Sequence, residues 1–305
     1  MRILVGVLYS GENEFAECLA ALQRQSYRDF EYFIVTGLPK REAHDRLYGI
    51  FMARAKEFDI FVKVDADMVI EDRDLFAKLV DRFWQNPNMD QLTIAVHDFF
   101  TDRLIEGMHA YRSSVRWPKR DSDVFTDRHP VPRDRQVIDY DDLAPAAIHC
   151  KNPSPFQAFH FGLHRALKIL TYLQLSRGQP SNLQFHLNNN ELVWHHFLRT
   201  GDVRLGFAAL GAELALRGDF NVAHISYTNP YAQGIFQRRY AHWGAVRIKW
   251  VVRWLRFRNR ACIPALRRSY QLGLRVRRVI RWFVPRPIRM VVKSALKRYL
   301  ALWGV

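Results

Sequence analysis

Asp65-Ala66-Asp67 closes a short run, Ile60–Val64, whose β-branched and aromatic residues read as a strand. Where such a strand ends and the chain turns, both carboxylates can approach one hard cation, directly or through water. Two oxygen donors that leave coordination positions open suit Mg²⁺ or Mn²⁺ held against a substrate diphosphate. The carboxyl edge of a parallel sheet is also where α/β folds place their ligands. The same tripeptide reads equally as a polar strand end, because Asp is common in turns.

The remaining polar residues give weaker signals. His160 and His164 stand four apart with Gly162 between them, which suggests a turn, and the adjacent His195 and His196 point about 100° apart on a helix. With no H-E-x-x-H or Cys/His spacing beside them, core or surface histidines are favoured over a zinc site. Lys63 reads as a cap on the strand's solvated side. Cys18, Cys150 and Cys262 are far apart and in no metal-type pairing, which fits a reducing cytoplasm better than a disulfide framework.

The elements that must position these residues alternate along the first half. Arg2–Leu8, Phe30–Val35, Ile60–Val64 and Gln91–Val96 read as strands. Glu14–Gln25, Lys40–Glu57 and Asp72–Asn86 read as helices between them, so an α/β fold with a mostly parallel sheet flanked by helices is expected. The stretch from Tyr111 to Pro155 reads as a long irregular insertion. Beyond it, Leu163–Leu175 and Asn190–Arg199 are expected as helices and Arg204–Phe207 as a short strand.

The formal charge of +16 is unevenly placed. Residues 1–219 carry 27 basic and 30 acidic side chains, whereas 220–305 carry 19 basic and none acidic. From about Gln237 the chain reads as three basic amphipathic helical segments punctuated by Pro264, Pro285 and Pro287. In the first, Lys249, Arg253, Arg256 and Arg260 form a stripe beside Trp250, Trp254 and Phe257. Their continuous apolar stripes favour an anionic membrane surface over nucleic acid as partner. Packing of these faces on the rest of the protein is the structural alternative. The start lacks the make-up of a signal peptide, and every apolar run in the tail is too short to span a bilayer.

Three stretches resemble the family 2 glycosyltransferases of GT-A fold: ILVGVLYSGENEFAECLAALQRQSYRDFEYFIV, FVKVDADMVI and NELVWHHFLRTGDVRLGF. The resemblance covers about residues 2–230, most closely 2–96. It implies a Rossmann-like GT-A domain over 1–235, followed by a basic amphipathic helical tail over 236–305 that associates with membrane. Asp65 and Asp67 then form the DxD motif that binds metal and sugar nucleotide, with His224 completing the metal site. Tyr9, Ser10 and Glu12 would hold the nucleotide, and Gln25-Ser26-Tyr27 matches the family's Gln-x-(Ser/Thr)-Tyr turn. Phe161-Gly162-Leu163-His164-Arg165 resembles a turn into a helix on the acceptor side, which places Gly162 and His164 there. Glu191 matches the acceptor-activating carboxylate, and reads equally as a helix-start acid.

Two positions depart from the family: Asn190 stands where a second acid is usual, and Thr36-Gly37 where an Asp usually contacts the nucleobase. The implied reaction is an inverting transfer from a nucleotide-diphosphate sugar to a hydroxyl, with Mn²⁺ or Mg²⁺ as cofactor. The implied acceptor is a cell-envelope saccharide or lipid-linked intermediate, at the cytoplasmic face of the membrane. A nucleotidyltransferase, and a nucleic-acid-binding protein using the basic tail, are the alternatives.

Overall fold

A computed structural model of the chain describes residues 1–119, 122–126, 130–131, 135–174, 180–226 and 228–259. The second and third amphipathic segments expected in the tail lie outside these residues. The first half runs β1 (Ile3–Leu8), α1 (Phe15–Gln23), β2 (Phe30–Val35), α2 (Lys40–Ala53), β3 (Ile60–Asp65), β4 (Met68–Ile70), α3 (Leu75–Gln85) and β5 (Gln91–Asp98). Then come β6 (Arg103–Arg112), β7 (Gln136–Asp139) and β8 (Ala147–His149). The helices α4 (Pro155–Gln174), α5 (Pro180–Thr200), α6 (Val203–Arg217), α7 (Tyr231–Arg239) and α8 (Ala245–Asn259) follow, with a 3₁₀ turn at Val222–Ile225.

The strands form one mixed sheet in the order β2-β1-β3-β6-β5-β8-β4, with β7 also alongside β5. Every residue of β1 is buried, as expected of a central strand covered on both faces. Ile3, Val5 and Val7 enter a core with α1 and α3, while Leu4 and Leu8 enter another with α2. Gly6 is required for the second contact, since a Cβ there would lie 2.9 Å from the side chains of Leu47 and Phe33. The expected parallel alternation holds for β2, β1 and β3, but β6 runs antiparallel to both β3 and β5. The consequence is that β1, β2, β3, β5 and β8 all point the same way and end on one edge.

Gln25 gives the expected turn after α1 its physical basis. Its buried amide donates to the Asp72 carbonyl at 2.8 Å and accepts from the Phe76 N–H at 3.0 Å, locking α1 to the start of α3.

The second half departs more from expectation. Arg204–Phe207 is helical, within α6, where Asp202 caps the first turn and Gly218 at φ +94° closes the last. Gly162 is not at a turn but inside α4, and β7 and β8 lie within the stretch expected to be irregular. The glycine serves a helix crossing: a Cβ on Gly162 would meet the Ala208 carbonyl oxygen at 1.9 Å, and one on Gly211 would meet that of Phe159 at 2.2 Å. Small residues at both positions let the α4 and α6 backbones touch. α7 crosses the 235/236 position, and α8 packs Ile248, Val252 and Leu255 into the same core as α4 to α6.

Candidate active site

The shared strand edge gathers the acidic groups. Register pairs Leu8 with Asp65, so the loop after β1 and the turn after β3 leave the sheet side by side, and the Ala66 N–H donates to the Leu8 carbonyl at 2.9 Å. Two places over, beyond β6, β5 ends in Asp98 beside His149 at the end of β8. The Cys150 N–H then donates to the Asp67 carbonyl at 2.8 Å, drawing the end of β8 onto the DxD turn. Cys150 adopts φ 53°, a left-handed conformation unusual for a residue with a Cβ, and such backbones concentrate at functional sites.

α4 supplies a facing wall. Its start is a capping box in which the Gln157 N–H donates to Ser154 Oγ at 3.1 Å and the Ser154 N–H to Gln157 Oε1 at 3.4 Å, with Pro155 at the first helical position. The Gln157 amide also donates to Glu14 Oε2 at 2.9 Å, and Glu14 Oε1 accepts from the Asn152 N–H at 2.9 Å. Glu14 is fully buried, so these bonds fix the loop after β1 against the helix. Burial raises its carboxyl above the ordinary range, and Gln157 and Asn152 offset part of that.

Between these parts lies a cleft of about 190 Å³. Glu12, Asp65 and Asp67 line its strand side, and Lys40, Arg165 and Lys168 line its helix side with His160, Phe161 and His164. Asp65 is half-exposed and receives Lys63 Nζ at 3.0 Å; Lys63 itself is buried rather than capping a solvated face. Burial, then the charge of Asp67, push the Glu12 carboxyl up to about 7. His160 is held down at about 4 by burial and donates through Nε2 to the Ile225 carbonyl at 3.0 Å. Burial and then Lys40 hold His164 well below its ordinary value, so neither imidazole competes for an anion's charge near neutral pH.

Asp67 is the centre of the acidic side. Its Oδ2 accepts from Cys150 Sγ at 3.2 Å and lies 3.4 Å from His149 Nε2. His149 Nδ1 donates to the fully buried Asp98 at 2.7 Å, which fixes the ring and turns Nε2 toward Asp67. Burial opposes charge on both Asp67 and His149, but the partnership prevails, holding the carboxyl low and the imidazole high. Asp98 is held down at about 2 against its burial by the His149 hydrogen bond. Asp67 Oδ1 is buried with no hydrogen-bond partner, a costly state for a carboxylate oxygen that a bound cation would relieve. Among the described residues, Asp67, His149 and Cys150 form a cluster whose donor atoms lie within 4.8 Å of one another.

The structure thus brings Tyr9, Ser10, Glu12, Asp65, Asp67 and His164 into one cleft. Tyr9 stacks on Phe15 at 3.9 Å between centroids, and the Ser10 N–H donates to Glu12 Oε2 at 2.6 Å. His224 lies in an adjoining cavity of about 210 Å³, which shares Ser10, Glu12, Gln157 and His160 as its walls. Its Nδ1 accepts from the Asn221 N–H at 3.2 Å and its ring stacks on Tyr231; the imidazole beside the carboxylates is His149. Gly162 lies below the cleft in the contact of α4 with α6. Glu191 sits on α5 with its carboxylate 2.6 Å from Arg256 of α8, which also reaches the buried Glu213 at 3.2 Å.

Sequence reasoning missed Asp98, His149, Cys150, Arg165 and Lys168. Asp98 and His149 are 51 residues apart, and only strand register joins them. Phe161, Arg165 and Lys168 do share a helical spacing, which becomes visible once Gly162 is placed inside the helix.

No protein-family profile and no curated protein matches the chain. Among solved structures it is similar to the mannosyltransferase PcManGT from Pyrobaculum calidifontis in complex with GDP-Man and Mn²⁺, at 13% identity and TM-score 0.36, over 83% of this chain and 84% of that one. It is also similar to S. aureus TarS in complex with UDP-GlcNAc, at 13% identity and TM-score 0.31, over 90% and 92%. A third is A197 from STIV, at 17% identity and TM-score 0.33, over 45% of this chain and 81% of that one. Likenesses this distant carry no argument about function, which rests on the cleft itself.

Proposed function

We propose that the cleft transfers a sugar from a nucleotide-diphosphate donor to a hydroxyl acceptor in a cation-dependent reaction. The observation that carries this is the pairing, in one cleft, of Glu12, Asp65 and Asp67 with Lys40, Arg165 and Lys168. A diphosphate needs both: cationic side chains for its oxygens, and carboxylates for the cation that accompanies it. Asp67 and Asp65 would hold Mn²⁺ or Mg²⁺, with His149 as a nitrogen donor once the ion displaces its Nε2 proton, and the orphaned Asp67 Oδ1 fits that occupant. The bound ion would supply Lewis-acid stabilisation of charge on the leaving diphosphate.

The chain's own residues do the rest. Lys40, Arg165 and Lys168 orient the phosphates, and the loop Tyr9-Ser10 with Val35 forms the nucleotide side. Cys150, whose thiol is raised well above its ordinary value by burial and by Asp67, acts as a hydrogen-bond donor to that carboxylate. The adjoining cavity with Ser226, Asn229 and Gln233 leaves room for a hydroxyl-bearing acceptor, and the two spaces together reach the ~300–1,000 Å³ range of small-molecule sites. A cell-envelope saccharide or lipid-linked acceptor, the inverting course and attachment through residues 236–305 belong to the same proposal.

The test is a screen of nucleoside diphosphates, their sugars and nucleoside triphosphates for Mn²⁺-dependent thermal stabilisation, followed by turnover of the hit. Stabilisation by a diphosphate sugar, lost in Asp67→Asn, is expected. Stabilisation and pyrophosphate release with triphosphates alone would assign a nucleotidyltransferase instead.

A further inference from the structure

α8 is buried on one side only. Ile248, Val252 and Leu255 are at most 1% exposed and face the helical core. On the far side, Val246, Trp250, Trp254 and Phe257 are 73%, 66%, 50% and 77% exposed. At about 100° per residue these four fall within an arc of about 80°, so they form one continuous ridge along the helix. Basic residues flank it on both edges, Arg247 and Arg258 on one, Lys249 and Arg253 on the other. Arg253 lies over the Trp250 ring at 5.8 Å and Arg258 over the Trp254 ring at 4.9 Å. No acidic residue occurs on α8 or anywhere after Asp219.

We infer that this ridge docks the protein on an anionic lipid surface. An apolar crest with indole rings and cations along both flanks matches the layering of a bilayer interface, with acyl chains below and phosphates at the edges. Charge decides among the occupants. A second copy of α8, or residues 260–305 of this chain, would bring further positive charge against these flanks, because neither contains an acidic side chain. Nucleic acid would match the charge but gains nothing from Val246 on the crest and needs its contacts centred on the basic residues, which here lie at the margins. The tail's affinity for membrane was expected from composition; the structure assigns it to a face of α8 anchored in the folded core. The inference takes its partner from the proposal above, but its test reads binding and not turnover.

The full chain is sedimented with phosphatidylcholine vesicles, with and without phosphatidylglycerol, and compared with a Trp250→Ser/Trp254→Ser/Phe257→Ser variant. The wild type is expected to bind the anionic vesicles. The variant, with an unchanged thermal midpoint because the altered side chains are exposed, is expected to bind at least ~tenfold more weakly. Equal binding by the variant would overturn the assignment, as would a wild type that ignores anionic vesicles. Loss in the variant of binding to a single-stranded RNA oligonucleotide, without vesicle binding by the wild type, would assign the ridge to nucleic acid. A change from dimer to monomer in the variant by light scattering would assign it to self-association.

Discussion

Two aspartates two positions apart end in unlike surroundings. Asp65 is open to solvent and neutralised by Lys63 at 3.0 Å, whereas Asp67 is enclosed by His149 and Cys150 and keeps one oxygen unpartnered. Their spacing was legible in the sequence because a strand end and a D-x-D pattern are both local features. The groups that give Asp67 its character were not, since His149 and Asp98 reach it only through the pairing of β8 with β5. Asp98 is therefore predicted to act through His149. Asp98→Asn, which removes the charge that orients the imidazole, should weaken Mn²⁺ binding about 10–100-fold in a thermal-shift titration, the range for supporting residues around metals. Unchanged Mn²⁺ affinity would show that His149 plays no part in holding the ion.

At the scale of elements, β1 was readable because a strand covered on both faces is apolar throughout, and β3 because its apolar run is broken only by Lys63 and the terminal Asp65. α4 and α6 were misjudged for a common reason: Gly162 looks like a helix break in one dimension and is a contact point in three. Gly162→Ala would force a Cβ against a backbone carbonyl that cannot rotate away. It is expected to cost about 3 kcal/mol or more, seen as a lower midpoint in chemical denaturation with α4 and α6 pushed apart. A midpoint equal to the wild type would mean the crossing is looser than described. Glu191 was matched to a catalytic base by its place at the start of an expected helix, and that helix proves to begin at Pro180. Its carboxylate instead joins α5 to α8 through Arg256, 2.6 Å away. Glu191→Gln is thus expected to leave turnover within about twofold and to reduce stability by under ~1 kcal/mol, as for a half-exposed ion pair. A fall in turnover of about a hundredfold or more, at unchanged stability, would restore it as the base.

For the whole molecule, the +16 charge is the sum of unlike regions. Within the cleft Glu12, Asp65 and Asp67 face Lys40, Arg165 and Lys168, so the proposed anionic donor would be drawn by local groups and an ion rather than by the field of the chain. The surplus begins after Asp219, and five of its seven described basic residues lie on α8, a helix whose other face completes the core. Among the described residues no helix is long and apolar enough to cross a membrane. Composition revealed the charge asymmetry; which residues face outward depended on how α8 packs, and that required the fold. The central claim is that the cleft is a cation-dependent site for a diphosphate-linked sugar. Its most direct test is the Mn²⁺-dependent thermal shift and turnover of wild type and Asp67→Asn across a panel of nucleotide sugars. The account predicts one donor class that stabilises and is turned over only with the divalent ion, and a loss of turnover of at least about a hundredfold in the variant. Wild-type turnover by Asp67→Asn, or turnover undiminished by a chelator, would contradict it.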